Sequence, residues 1–554
     1  MILSHTRHEF GREERKACDR VLAGGFLTGG PLVAAFEKSF CDFTHAPFSA
    51  AVSNGTTALH LACLALGVKP GDEVVVPAVS FIATANAVLY AGGTPVFAEV
   101  DLRTGMVTAD SLRKAMTKKT RGVIVVHYMG QPADLKPIFD LTRRLGVFLI
   151  EDACHALGAK YMDSMIGECR YSDLSTFSFH PAKNITTGEG GMITSQSQKL
   201  INSIKDLRNH GMVRDPKRWK LKKYAAHAYY EVQSLGFNYR LTDMQCAIGI
   251  EQMKKLPRFL KTRRSLLIAY QTGLQYLPEI QVLKQDAAIS GAHIFVIRIR
   301  ETLAGFSRAE LAAELSRSGI MSNIHYLPMP LHPLYQKILP QKQQLLDQCE
   351  RFYTGLLSLP LHTQLNLRDV ERICSVIRAF CDKHRQRKSA TGFSSEKVVL
   401  SAVVLADLNK QYLDWLNDPR VNRFMAKQKY DFDDLSDYFQ SVKASKSNSF
   451  LAARTGSCHI GNVLIEKKGS TGILGVMIGD ARRHGKGWGS QVVRAACRYG
   501  FSKLKLQRME LGTLAGNNSA LRCFTRCGFR ITAIQKKNGQ AVVRMRLNRG
   551  ELKS

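Results

Sequence analysis

Between about residues 50 and 200, short apolar runs alternate with helical patterns: Ala50–Val52, Glu73–Pro77, Thr94–Phe97, Gly122–His127, Val147–Ile150, Ser175–Phe179 and Gly191–Thr194. Such alternation predicts an α/β fold with a mostly parallel sheet covered by helices. Ligands in sheets of this kind collect at the carboxyl ends of the strands. A chain of 554 residues is too long for one ordinary core. The organisation expected is a large α/β domain over 1–245, a smaller α+β domain over 246–380, a linker over 381–396 and a further domain over 397–554. A helix is expected from Met244 to Lys255, ending before Pro257, because proline lacks the N–H of a helix interior. The stretch Cys381 to Gly392 loses apolar periodicity and carries charge, Ser and Gly, which reads as the linker.

An apolar fraction of 45% with 43 glycines fits soluble α/β architecture and argues against disorder. The amino terminus has no basic segment followed by an apolar run, so no signal peptide is read there. The longest apolar run, Val74 to Tyr90, is broken by Pro77, Ser80, Thr84 and Asn86, which argues against a membrane span. The 13 cysteines show no CxxC pairing; Cys523 and Cys527 sit one helical turn apart without a nearby histidine. Reduced thiols of a cytoplasmic protein, with no metal site, are expected. The formal charge of +32 is spread along the chain without an aromatic-interleaved RNA motif, so no nucleic-acid partner is expected. A positive field suits diphosphate-bearing ligands; a basic solvated surface explains the charge equally well.

Two strand-end motifs carry the chemistry. Glu151-Asp152-Ala153-Cys154-His155 is followed, about thirty residues on, by Phe177-Ser178-Phe179-His180-Pro181-Ala182-Lys183, which runs into the glycine-rich turn Gly188-Glu189-Gly190-Gly191. A lysine on a loop near a strand-end aspartate is what pyridoxal phosphate (PLP) requires: an amine to condense with the aldehyde, and a carboxylate to keep the pyridine nitrogen protonated. Asn54-Gly55-Thr56-Thr57 reads as a turn into a helix, where Gly55 lets the backbone approach an anion and Thr56 and Thr57 add donors for a phosphate. Taken singly, each is also an ordinary strand-end carboxylate, a surface lysine or a capped helix.

In this order, from about residue 8 to 380, the motifs resemble the DegT/StrS-type sugar aminotransferases, PLP-dependent enzymes of fold type I. Within that family the likeness is to the enzymes that aminate a 4-keto sugar on the way to pseudaminic acid. The resemblance implies Lys183 as the catalytic amine and Asp152 as partner of the ring nitrogen. His155 would contact the phenolic oxygen, Ser178 the phosphate, and Phe81 would stack on the ring. It also implies that Asn238 and Arg240 reach the cofactor phosphate of a neighbouring subunit, hence a homodimer; Asn238 reads alternatively as the cap of the helix beginning near Thr242. His325 and Tyr326, in Asn323-Ile324-His325-Tyr326-Leu327-Pro328, match a substrate-lining loop. L-glutamate is the amino donor that the family implies, and retention of lysine at 183 favours transamination over deoxygenation.

Beyond the linker, Gly475 to Ser490 reads as a strand entering a loop of small residues, with a helix from Gln491 to Phe501 aimed at the same point, an arrangement able to wrap a pyrophosphate. The pattern Arg482-x-x-Gly485-x-Gly487, then Gly489, and later Asn517 to Phe529, resembles the acetyl-CoA signature of GNAT acetyltransferases. Arg482, Gly485, Gly487, Gly489 and Asn517 are the acetyl-CoA candidates. Phe524 stands where the family often has a tyrosine that protonates the departing thiolate. Glu466 and Glu510 are candidate bases. Joined, the halves suggest a bifunctional enzyme. It would aminate C4 of a UDP-4-keto-6-deoxy-N-acetylhexosamine and then acetylate that nitrogen. A dTDP-linked sugar would share every motif, and a basic regulatory or nucleic-acid-associated protein on a relic PLP fold is the non-enzyme alternative.

Overall fold

The computed structural model describes the chain except residues 1, 222, 224–226, 301–303, 339–346, 388–392, 396–397, 404–406, 423–428, 446, 456–457, 486, 538–539 and 553–554. It divides into two compact units. One comprises Met1–Gln275, Ile280–Ile299 and Ser307–Ile377; the other is Arg378–Ser554 with the short stretches Tyr276–Glu279 and Arg300–Phe306.

All the strands expected between residues 50 and 200 form, and they make one seven-stranded sheet. Its strands are β1 (Phe48–Val52), β2 (Glu73–Pro77), β3 (Thr94–Ala98), β4 (Thr120–Val126), β5 (Phe148–Asp152), β6 (Leu174–Ser178) and β7 (Gly191–Ser195), in the order β1-β7-β6-β5-β4-β2-β3. The β2/β3, β2/β4, β4/β5 and β5/β6 pairs are parallel; β7 runs antiparallel to both β6 and β1. Val74, Val75 and Val76, Val123 to Val125 and Leu149-Ile150 are fully buried. Unbroken β-branched and leucine runs are what a sheet covered on both faces selects. At its carboxyl end β5 turns from this apolar run to Glu151 and Asp152.

The helix expected to stop before Pro257 does not. It runs from Asp243 to Leu274 with Pro257 inside, and it is capped by Thr242, whose hydroxyl accepts from Gln245 N, rather than by Asn238. The missing N–H costs one internal hydrogen bond. Beyond it, Phe259, Leu260, Leu266, Leu267, Tyr270 and Leu274 are buried, and Tyr270 stacks on Phe295 at 4.5 Å. Burial of several such side chains, about 1.5–3 kcal/mol each, outweighs one proline. This part of the first unit holds a three-stranded antiparallel sheet, Ile280–Val282, Phe295–Ile299 and Leu356–Leu359. The helix Leu367–Arg387 carries through the opening of the stretch read as a linker, and Phe393–Ser395 is a strand; residues 388–392 and 396 of that stretch lie outside the described residues.

The second unit is built on an eight-stranded sheet in the order Phe393–Ser395, Val398–Ala402, Asn448–Thr455, Cys458–Lys468, Thr471–Ile478, Arg508–Leu514, Gln540–Asn548, Arg530–Lys537. Among the described residues, no helix is long and apolar enough to cross a membrane.

Candidate active sites

Asp152 ends β5, nearly buried, and its carboxylate is held from two sides: Thr84 Oγ1 donates to Oδ2 at 2.8 Å and Cys154 N to Oδ1 at 3.2 Å. Thr84 is itself 3.0 Å from Ser80 Oγ. Lys183 lies on the loop after β6, where its N–H closes a turn on His180 O at 2.8 Å. Burial lowers the pKa of its amine, while Cys154 and Asp152 act in the opposite direction. The two side chains therefore share one electrostatic environment, with the amine biased toward its neutral, nucleophilic form.

The helix Gly55–Ala65 starts at the same end of the sheet. A Cβ at Gly55 would come within 2.7 Å of Ser178 Cβ and 3.3 Å of Cys154 Sγ, so glycine permits this helix start to close on both strand-end motifs. Thr57 gives its amide to Asn54 Oδ1 at 2.9 Å and its hydroxyl to Asn54 O at 2.8 Å. Both its donors serve the helix cap, and the amides of Gly55 and Thr56, in the first turn, have no partner within the helix.

His155 is buried, with Nε2 3.2 Å from the Tyr326 hydroxyl and Nδ1 without a partner. Phe81 is 52% exposed and lies 6.0 Å from the Tyr326 ring. His325 sits between Ser358, whose hydroxyl is 2.8 Å from Nδ1, and the ring of His5 at 5.2 Å; Tyr128 donates to its carbonyl. Burial, then His5 and Lys183, push His325 down to about 3. His155 is held well below the ordinary histidine range by burial, then by Lys183 and His325, and His293, 4.5 Å from His155, is likewise depressed by burial first. At neutral pH these imidazoles are uncharged, so Lys183 faces hydrogen-bonding rings rather than cations. Asn238 is exposed, and Arg240 donates to Asn209 Oδ1 at 2.6 Å.

The structure thus gathers Gly55, Asp152, His155, Ser178, Lys183, His325 and Tyr326 at one end of the sheet. Thr84, Ser80, His293, Tyr128 and His5 belong to the same region and carry no motif of their own, and Cys154 comes with the Asp152 motif. The arrangement fits PLP. A helix start and Ser178 suit the phosphate, an anchored carboxylate suits a protonated ring nitrogen, and the buried, unpartnered Nδ1 of His155 marks a polar wall that awaits a ligand. Thr84→Val removes one donor to the Asp152 carboxylate. Such bonds contribute about 1.5–3 kcal/mol, so amine transfer is expected to fall on the order of tenfold to a hundredfold in kcat/KM. An unchanged kcat/KM would show that Thr84 does not hold the carboxylate.

In the second unit, Thr471–Ile478 and Arg508–Leu514 pair in parallel only at Thr471–Ile473 and Arg508–Glu510, then part. The loop leaving the first of these strands reaches the helix Trp488–Ser502 through Gly485 (φ 75°) and Gly487 (φ 82°), left-handed positions where a side chain would be strained. Gly489 lies in the first turn of that helix. Arg483 pins the loop, bonding Asp480 at 3.2 Å and covering the Trp488 ring at 4.9 Å. The side chain of Arg482 lies outside the described residues. Asn517 caps the helix Asn518–Arg526, its Oδ1 accepting from Ala520 N at 3.2 Å. Phe524 packs 6.1 Å from Phe529. Both candidate bases are ion-paired, Glu510 with Arg546 at 2.8 Å and Glu466 with Lys468 at 3.1 Å.

Comparison with known proteins identifies both catalytic domains. Residues 8–378 match the DegT/DnrJ/EryC1/StrS aminotransferase family and residues 397–530 the acetyltransferase (GNAT) domain. The spore coat polysaccharide biosynthesis protein SpsC of Bacillus subtilis is 35% identical over 370 residues, 66% of this chain and 94% of that protein. The fold matches Helicobacter pylori PseC, an aminotransferase involved in the biosynthesis of pseudoaminic acid (TM-score 0.63, 28% identity, 69% of this chain and 100% of that one). It also matches the PLP form of the putative sugar aminotransferase Spr1654 of Streptococcus pneumoniae (TM-score 0.63, 25% identity, 69% and 100%). The chain belongs to the DegT/DnrJ/EryC1/StrS family: it is a PLP-dependent sugar aminotransferase fused to a GNAT acetyltransferase domain that uses acetyl-CoA.

Proposed function

We propose that the chain converts a UDP-linked 4-keto-6-deoxy-N-acetylhexosamine first to its 4-amino and then to its 4-acetamido derivative, a pair of steps suited to pseudaminic acid-type sugar synthesis. The observation that carries the first step is the anchored pair, Lys183 beside an Asp152 fixed by Thr84 and the Cys154 amide.

When bound, PLP supplies the electron sink. Asp152 would partner its ring nitrogen, and Gly55, Thr56 and Ser178 would hold its phosphate. Thr57 supports them by capping the helix. Phe81 would stack on the ring and His155 would meet the phenolic oxygen. Lys183 would hold the group and would be the base that moves a proton at the α-carbon of the donor, which we take to be L-glutamate. Burial, which lowers its pKa, favours the neutral amine that this work needs. Neutral His325 and Tyr326 contact the keto sugar, positioning it without adding charge. The exposed Asn238, with Arg240, extends to the cofactor phosphate of a second copy, making a homodimer.

For the second step, the amides of Gly485, Gly487 and Gly489, with Arg482, bind the pyrophosphate of acetyl-CoA. Asn517 supports the site as a cap, and the thioester lies where the two strands part. Phe524 has no proton to give, so catalysis rests on positioning an unprotonated amine at the thioester. The amine made by the first unit is the nucleophile that the second consumes, and the cytoplasm supplies both nucleotide sugars and acetyl-CoA.

The protein, given PLP, L-glutamate, acetyl-CoA and the UDP-linked keto sugar, is expected to yield a diacetamido nucleotide sugar by mass spectrometry and NMR. Accumulation of the free amine alone removes the acetylation step; preference for a dTDP-linked sugar replaces the nucleotide; no amine from either sugar rejects the substrate class.

A further inference from the structure

Cys523 lies in the helix Asn518–Arg526 and Cys527 is its C-terminal cap. Neither has a part in the acyl transfer above. Both thiols converge on the first turn of the helix Trp488–Ser502. Cys523 Sγ is 3.5 Å from Ser490 Oγ, Cys527 Sγ donates to Ser490 O at 3.5 Å, and a Cβ at Gly489 would stand 3.4 Å from Cys523 Sγ.

The two are unequal. Cys523 is partly exposed and Cys527 is buried. The Cys523 thiol is drawn down to about 7 by its hydrogen bond with Cys527, against burial, with help from Ser490, Arg494 and Arg526. Cys527 moves the other way and keeps its proton. The more acidic thiol is thus also the more accessible one. The Cys527 amide bonds Cys523 O at 3.2 Å, and one such turn separates the two Cα atoms by about 6.2 Å. That lies within the roughly 4.4–6.8 Å that a disulfide spans. The buried Cys63, Cys169, Cys349 and Cys497 have thiols pushed up to about 12, the opposite of a reactive setting.

We propose that Cys523 and Cys527 are an oxidation site, closed to a disulfide by hydrogen peroxide, whose closure disables the helix start that binds acetyl-CoA. The proposal rests on the reading of that helix start as the pyrophosphate site. The Cys523 thiolate attacks peroxide: an S–O bond forms, the O–O bond breaks, and hydroxide leaves with the sulfenic acid in place. The Cys527 sulfur then attacks; the S–S bond forms, the S–O bond breaks, and the thiol proton leaves in water. Two electrons pass from the thiols to peroxide. Closure takes away the thiol proton that Cys527 gives to Ser490 O and redirects Cys523 Sγ from Ser490 Oγ toward Cys527, which disturbs the first turn at Gly489-Ser490.

The full chain is treated with hydrogen peroxide, digested with trypsin without reductant, and titrated in parallel with acetyl-CoA. The expected result is a disulfide-linked peptide pair, Cys523 to Arg526 joined to Cys527 to Arg530, with acetyl-CoA affinity at least tenfold weaker and restored by dithiothreitol. Cys523→Ser keeps its affinity through peroxide, and Cys527→Ser oxidises at Cys523 without the link. Absence of the linked pair, or its formation with affinity unchanged, overturns the proposal. Failure of the reduced protein to bind acetyl-CoA rejects instead the pyrophosphate site, and the blocking role with it, while the peptides still report the thiol chemistry.

Discussion

Lys183→Ala is expected to abolish amine transfer and to leave the protein without the visible absorption of lysine-bound cofactor. Two contributions disappear together. One is the covalent anchor, which no neighbour replaces: His155, His293 and His325 are held neutral and are poor substitutes for a primary amine. The other is proton transfer at the reacting carbon, which a positioned base accelerates by roughly 10²–10⁴. The combined fall should therefore be at least on the order of 10⁴, read as product formed per enzyme under saturating L-glutamate and keto sugar. The fold should survive, because the loop is fixed by backbone bonds such as Lys183 N to His180 O rather than by the amine. A variant that retains the parental rate would remove Lys183 from the chemistry.

Glu37→Ala is expected to destabilise the aminotransferase unit by about 3–5 kcal/mol, the range for breaking a buried ion pair from one side. Its carboxylate is only 9% exposed and meets Arg208 at 2.6 Å, Lys205 at 2.7 Å and Ala51 N at 3.0 Å. Arg208, the less exposed partner, is left with Ala51 O as its remaining acceptor. Burial raises the Glu37 pKa, but Arg208 and then Lys205 outweigh it, so the folded value lies below the ordinary 4.5. A depressed carboxyl stabilises the fold fully above the unfolded value, and that contribution fades as pH falls through the folded one. Denaturant unfolding should thus show a large gap between parent and variant at pH 7 that narrows below about 4.5. A gap independent of pH would mean that the loss is one of packing rather than charge.

Much of the first unit could be read from the chain, because its signals are local. Each strand of the large sheet is an apolar run of its own, and Lys183 and Asp152 lie within a few residues of strand ends. What could not be read depends on distant partners. Thr84 looked like one of several breaks in an apolar run; only folding carries it to Asp152, 68 residues on. Pro257 argued for a helix end by a rule blind to the aromatic and aliphatic side chains that hold the next four turns in place. Asn238 and Thr242 are both plausible caps by residue type, and which one fills the role is decided by backbone direction. Thr57 looked like a ligand donor, yet the cap on Asn54 claims it first. His5 has no motif around it; the bridge between Leu3 and Ile320 brings it to His325.

The helix from Asp243 to Leu274 spans about 48 Å. Its first half packs on the helices Arg12–Ala23 and Pro31–Thr44, and its second half reaches the small sheet, where Arg263 donates to the carbonyls of His293 and Leu361. A single helix thus ties the amino-terminal helices of the first unit to its small sheet. Hinged movement of the small sheet against those helices would have to bend this strut, along a length where Pro257 already removes one internal hydrogen bond.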